Sequence, residues 1–261
     1  MTDKVETFRA LHVPGDPLIL FNIWDAGSAR AVVDAGAKAI ATGSFGVAEA
    51  QGFKDGEGLP LATVLENLQR IVSVTDLPIT IDMESGYGDT PEQVAASTAK
   101  ARDLGAAGIN MEDRMPGETA LLAPEDAAER IASAAATGIF VNARTDAFLG
   151  KKPEDYSAEL VAEVIDRAKV YADAGADCLF VPFLGDHAVI GEICEAVSLP
   201  VNILWGPGRG THAELAALGV ARISYGHGPW AAAMGWLGDQ ASSVFAGDGA
   251  PYAREGGQTK L

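Results

Sequence analysis

Cysteine, histidine and positive charge are all scarce in this chain of 261 residues. The two cysteines, Cys178 and Cys194, sit inside apolar runs at a spacing that fits no zinc pattern, so both read as buried structural thiols. Against 36 acidic residues stand 19 basic ones, a formal charge of −17, which argues against nucleic acid or an anionic membrane surface as a partner. An anionic substrate would then need local positive charge, from an arginine or a bound cation. No apolar run approaches the roughly 18 residues of a membrane span, and the segment Met1–Glu6 lacks an apolar signal core. A soluble, cytoplasmic protein is expected.

Apolar residues make up 48% of the chain, ample for a large core. One unit echoes through the sequence: a helix-like run, a glycine, then a short apolar strand. It occurs at Val33–Ile40, Asp103–Ile109, Asp173–Leu179 and Ala216–Ile223. The glycine suits the left-handed position that ends a helix. Apolar runs between turn signals predict eight strands, near 18–24, 38–43, 78–83, 107–112, 139–144, 178–184, 200–205 and 221–226. Helices are predicted near 3–12, 27–36, 61–74, 91–104, 124–136, 157–174, 186–197, 211–218 and 229–245, with Pro91 and Pro124 at first helical positions. Eight βα units predict an α/β fold, a (β/α)8 TIM barrel forming one domain over 1–261, with a loosely ordered tail at 247–261. A doubly wound sheet is the alternative.

Barrels of this class place their sites at the C-terminal ends of the strands. Those exits are unusually acidic here. Strand 3 ends in Asp82 and Glu84, two residues apart and so on one side of a regular strand; strand 4 ends in Glu112 and Asp113. A carboxylate at the end of a buried strand loses hydration that a partner or a cation must replace. Hard oxygen ligands without histidine suit Mg2+ and make a poor zinc site. Arg144 ends strand 5 and can bind a carboxylate bidentately, or pair with one of the acids. Gly43-Ser44 after strand 2 could offer N–H groups and a hydroxyl to an oxyanion, though on composition alone a plain turn is the safer reading of the pair. The Gly206–Thr211 loop lies where barrels often bind phosphate, and a turn with Thr211 as helix cap accounts for it too. His227, between two glycines, is a further acid–base candidate.

At these residues the chain resembles the isocitrate lyase and phosphoenolpyruvate mutase superfamily. The likeness runs over roughly residues 5 to 235. It is carried by Asn22–Arg30, Ala41–Ala48, Asp82-Met83-Glu84-Ser85-Gly86-Tyr87-Gly88, Met111-Glu112-Asp113-Arg114, Asn142–Asp146 and Pro200–Ile203. The resemblance implies a barrel whose last helix is exchanged with a neighbouring subunit, in a homo-oligomer that is a dimer of dimers. It implies Mg2+ held by Asp82, Glu84 and Glu112, directly or through water, with a small 2-oxo acid or its enolate on the metal. It further implies substrate contacts from Gly43, Ser44, Arg144 and Asn202, and catalytic roles for Asp55, on a mobile gating loop, Glu112 and Arg144.

The chain departs from the family pattern after strand 4. Carbon–carbon lyases of the family carry a cysteine in a Lys-Lys-Cys-Gly-His type of loop; here Met115–Leu122 has none. The Lys-x-x-x-Lys-x-Asn stretch of the mutases and phosphonopyruvate hydrolases is missing too, and the usual Asp-x-Asp is Asp-x-Glu. The leading expectation is a Mg2+-dependent lyase of a small 2-oxo acid, or of a hydroxy acid releasing one, by decarboxylation or C–C cleavage. P–C chemistry on phosphonopyruvate is the alternative, with Asp55, Thr119 and Arg209 as candidate groups. A barrel that binds a 2-oxo acid without turnover is the third.

Overall fold

The computed structural model describes residues 3–248. Eight parallel strands form one sheet: β1 (Leu18–Leu20), β2 (Ile40–Ala41), β3 (Ile79–Asp82), β4 (Gly108–Glu112), β5 (Phe140–Arg144), β6 (Cys178–Val181), β7 (Val201–Leu204) and β8 (Arg222–Ser224). Each pairs with its neighbours in chain order from β2 to β8, and β8 returns to β1. A bridge between Ile23 and Thr42 draws β1 towards β2 and all but closes the circle. The (β/α)8 barrel is therefore the architecture, and the doubly wound alternative falls with the unbroken strand order.

The helices are α1 (Lys4–Ala10), α2 (Ala26–Asp34), α3 (Ser44–Ala50), α4 (Leu61–Val72), α5 (Pro91–Asp103), α6 (Pro124–Ala135), α7 (Ala158–Asp173), α8 (His187–Ala196), α9 (His212–Ala217) and α10 (Gly228–Phe245). Nine match the periodicity in the sequence. The tenth, α3, begins where a turn at Gly43-Ser44 is the simpler sequence reading: Gly43 is its N-cap, with no side chain to announce it. The echoing glycines do what their spacing predicts, with φ of 97° at Gly36 and 103° at Gly105. The predicted tail at 247–261 lies outside the described residues beyond Asp248.

Two packed regions result. One fills the shell between sheet and helices. The other lies inside the barrel at its N-terminal end, where α1 plugs the floor: Phe8, fully buried, meets the Phe140 ring edge-on at 5.0 Å, and His12 stacks on Phe140 at 4.4 Å. Gly108 is obligatory here, because a Cβ would lie 2.9 Å from Phe8 Cε1 and 3.1 Å from Thr80 Oγ1. Above this floor the inward-facing positions are polar, with Thr80, Asn110, Asn142, Asn202, Arg222 and Ser224 all buried. Barrel interiors of this kind are usually filled by branched apolar side chains, so a polar interior beneath the C-terminal mouth departs from the norm.

Candidate active site

The open end of the barrel holds a cavity of about 130 Å3. Its wall includes Gly43, Ser44, Asp55, Asp82, Asn110, Arg144, Ser224 and His227, with an apolar side formed by Phe45, Phe180, Pro182, Phe183 and Leu204. Strand register sets the levels. Glu112 pairs with Arg144 at the rim, and Asp82 pairs with Asn110 one layer deeper.

Arg144 is the anchor. Its Nη1 lies 2.5 Å from Glu112 Oε1, and its Nε lies 2.6 Å from Asp146 Oδ1, with Nη2 3.0 Å from Asp146 Oδ2. Burial works against the charged guanidinium, but Glu112 and Asp146 more than offset it and hold the group charged. Asp146 is itself fixed by Arg114 at 3.0 Å and through its backbone N–H, which donates to Asp113 Oδ1 at 3.0 Å. Asp113 faces away from the barrel interior and accepts from Tyr171 and Arg167 in the helix shell. The adjacent acids of strand 4 thus have separate duties: Glu112 serves the mouth and Asp113 the scaffold, as strand alternation requires.

The three acids singled out for a metal lie near one another but point differently. Asp82 borders the cavity; its Oδ2 accepts from Ser44 N–H at 3.2 Å and its Oδ1 from Glu84 N–H at 3.3 Å. Glu84 accepts from Glu57 N–H at 2.6 Å and Tyr87 O–H at 3.2 Å. Among the described residues, no three His, Cys, Asp or Glu side chains are grouped closely enough to hold one ion. Yet the carboxylates repel one another. Burial, then the charges of Asp82 and Asp55, push Glu84 up to about 7; burial, with Asp82, Asp146 and Glu84 against the pull of Arg144, raises Glu112. Carboxylates crowded this way with few cations suit a hydrated divalent ion such as Mg2+, which keeps most of its waters and takes one or two carboxylates. The residues present fit such an ion.

A structural role that sequence reasoning missed belongs to Glu57. Its Oε1 accepts from Ser85 N–H at 3.1 Å, Ser85 O–H at 2.5 Å and Tyr87 N–H at 3.1 Å, while its own N–H donates to Glu84. These bonds latch the loop that carries Asp55 over the cavity. They also hold Glu57, Glu84 and Tyr87 at φ of 56°, 48° and 51°, a left-handed backbone that side-chain-bearing residues resist. Burial raises the Asp55 carboxyl, and the neighbouring Ser44 hydroxyl pulls the other way.

Other candidates are placed less centrally. Asn202 is fully buried behind Ser224, whose hydroxyl donates to Asn202 Oδ1 at 3.1 Å, and does not border the cavity. Thr119 is exposed on its loop. Arg209 donates to Leu204 O at 2.7 Å, and Thr211 caps α9, so the Gly206–Thr211 segment is explained as a turn and cap. His227 borders the cavity with its ring 5.4 Å from that of Phe45.

Comparison with known proteins agrees with this architecture. The phosphoenolpyruvate phosphomutase family model matches residues 8–245. The 2-methylisocitrate lyase of Escherichia coli is 28% identical over 75% of this chain and 68% of its own. The oxaloacetate decarboxylase of Pseudomonas entomophila is 27% identical over 87% and 80%. A crystal structure from Burkholderia cenocepacia, a candidate phosphonomutase, is 48% identical over 94% of this chain and 98% of that one, with a TM-score of 0.89. A phosphonopyruvate hydrolase solved with oxalate and Mg2+ shares the fold at 22% identity and a TM-score of 0.84, over 99% and 93%.

Proposed function

Because the chain belongs to the phosphoenolpyruvate phosphomutase family, we propose that it is a Mg2+-dependent lyase of a small 2-oxo acid, or of a hydroxy acid releasing one, acting by decarboxylation or C–C cleavage through an enolate. The observation that carries this reading is the juxtaposition of Arg144 with Asp82 and Asp55 around one small cavity. Arg144 is the one arginine or lysine on that wall among the described residues, so the cavity matches a single free carboxylate on a small acid rather than a tricarboxylate. Relatives named as 2-methylisocitrate lyase and oxaloacetate decarboxylase support the lyase class.

In this mechanism Arg144 binds and orients the substrate carboxylate, and its contacts to Glu112 and Asp146 set its position before substrate arrives. Mg2+ held by Asp82, with Glu84 and Glu112 through water, would supply Lewis-acid stabilisation of the developing enolate charge. Asp55, which borders the cavity on the loop latched by Glu57, holds or moves a proton at its carboxyl in this reading. The apolar side of Phe45, Phe180 and Phe183 excludes water that would protonate an enolate astray. Decarboxylation needs no acid from the 115–122 loop, since carbon dioxide leaves unassisted, and that segment lacks the cysteine of the family's other lyases. P–C chemistry is the second reading, favoured by the 48% identity to the Burkholderia candidate phosphonomutase. Unpaired Cys178 and Cys194 fit the cytoplasm as its setting.

The deciding experiment incubates the protein and its Glu112→Ala variant with Mg2+ and a panel of oxaloacetate, isocitrate, 2-methylisocitrate, citramalate-like acids and phosphonopyruvate, following products by NMR. The expected result is oxaloacetate or malate-type turnover that disappears in the variant and with EDTA. Phosphate or phosphoenolpyruvate from phosphonopyruvate would establish the second reading instead, and saturable binding without product a non-catalytic binder. Undiminished turnover in EDTA would remove the metal from the proposal.

The same reading includes a homo-oligomer, a dimer of dimers built by exchange of α10. Of that helix only Pro229 is buried, while Trp236 is 56% and Phe245 88% exposed. An apolar groove of about 620 Å3 lined by Ile19, Phe21, Ala31, Val32 and Ala35 lies between β1 and α2. An apolar helix and an apolar groove left open on one chain suit mutual burial between copies. Light scattering should give a multiple of the 27.0 kDa chain mass, falling towards one chain in a Trp236→Asp, Phe245→Asp double variant; a wild-type monomer would refute the exchange.

A further inference from the structure

Asn110 lies on the inward face of β4, one layer below Glu112, and reaches the cavity although only 6% of it is exposed. Its Oδ1 accepts two hydrogen bonds, from Arg222 Nη2 at 3.0 Å and from Asn142 Nδ2 at 2.8 Å. Arginine only donates, so the oxygen of Asn110 must face it and the amide has one allowed orientation. The Asn110 Nδ2 makes no hydrogen bond to the described residues, yet it is not among the sealed polar atoms that lack a partner. That nitrogen therefore opens on the cavity.

The neighbouring donors are already engaged. Ser44 N–H goes to Asp82, the Ser224 hydroxyl to Asn202, and Asn22 Nδ2 to Thr42 O at 2.9 Å. Beneath them Arg222 is fully buried, with Nε and Nη1 unpartnered, an arrangement that costs stability and does nothing for packing that an apolar residue would not do better. What it does accomplish is to fix the oxygen of Asn110 downward and the N–H2 upward.

We propose that Asn110 is a substrate-contacting residue whose Nδ2–H2 donates to an oxygen of the bound oxo acid at the cavity floor. Arg222 is its positioning residue: it keeps a donor, rather than the amide oxygen, turned towards the anion. The inference rests on the oxo-acid reading of the site and adds its deepest polar contact.

Calorimetric titration of oxalate into the Mg2+-loaded protein tests it. Asn110→Asp keeps the acceptor for Arg222 and Asn142 but turns an oxygen to the cavity, and oxalate affinity should fall at least tenfold while the melting temperature changes little. Asn110→Ala removes the donor without adding charge, and a three- to tenfold loss is expected. Arg222→Met should weaken oxalate binding by a similar factor with Asn110 intact, and Arg222→Lys, which still donates, should restore it. Wild-type affinity in both folded Asn110 variants overturns the contact, and equal affinity in the Met and Lys variants overturns the positioning role. A wild-type protein that binds no oxalate with Mg2+ overturns the oxo-acid reading itself, and this inference with it.

Discussion

Arg144→Met is expected to lower kcat/KM for the turned-over acid by about a thousandfold or more. Two losses combine. The substrate carboxylate forfeits charge-assisted hydrogen bonds worth roughly 1.5–3 kcal/mol each, and Glu112 and Asp146 lose the cation that lies 2.5 Å and 2.6 Å from them. Without it, the crowded acids repel an anionic substrate. About 4 kcal/mol of lost transition-state stabilisation corresponds to a factor of about 10³. Arg144→Lys keeps the charge but cannot reach Glu112 and Asp146 through one planar fork, so an intermediate loss of about a hundredfold is expected. Steady-state kinetics with melting curves on the same samples check both. A well-folded Arg144→Met protein retaining a tenth of wild-type activity would remove Arg144 from the centre of the site.

Why Arg144 was legible in the sequence, and Asn110 was not, follows from the range of the forces involved. The barrel was readable because each βα unit announces itself locally: glycines such as Gly36 and Gly105 sit at helix ends with φ near 100°, and Pro91 and Pro124 open helices. Once strands are ordered, the rule that barrel sites sit at strand exits puts Asp82, Glu112 and Arg144 together, and the register agrees. Orientation was harder. Glu84 turns to Tyr87 and the Glu57 N–H because a left-handed backbone at residue 84 breaks the strand alternation that its spacing from Asp82 suggested. Glu57 sits in a loop whose docking no periodicity encodes. The Arg222–Asn110 bond joins residues 112 apart in sequence, and only barrel closure makes them neighbours. Asn202 shows the converse: its run reads as a strand exit, yet it is the second residue of β7, level with Arg222, bonded by Ser224 and away from the cavity wall.

Asp113→Ala is expected to destabilise the protein by about 3–5 kcal/mol, although the residue touches nothing in the cavity. Asp113 is 2% exposed and gathers the scaffold behind the site: Tyr171 O–H at 2.9 Å, Arg167 Nη1 at 3.4 Å and Asp146 N–H at 3.0 Å. Deleting its carboxylate leaves Arg167, itself 6% exposed, with its charge paired to Glu163 on the shell surface and with Leu122 O. It also leaves the Tyr171 hydroxyl and the Asp146 N–H without their acceptor, each costing about 1–3 kcal/mol when buried. Asp113→Asn keeps one acceptor oxygen and should lose roughly half as much. Urea denaturation at neutral pH measures the difference through the midpoint at constant slope. Because Asp146 is the shared link between Asp113 and Arg144, the Ala variant should also raise KM for the acid at temperatures where it remains folded, as the guanidinium loses its fixed seat. A loss below about 1 kcal/mol would mean that the Arg167–Asp113 pair is solvated in solution, and that the rigidity of Arg144 comes from Glu112 and Arg114 alone.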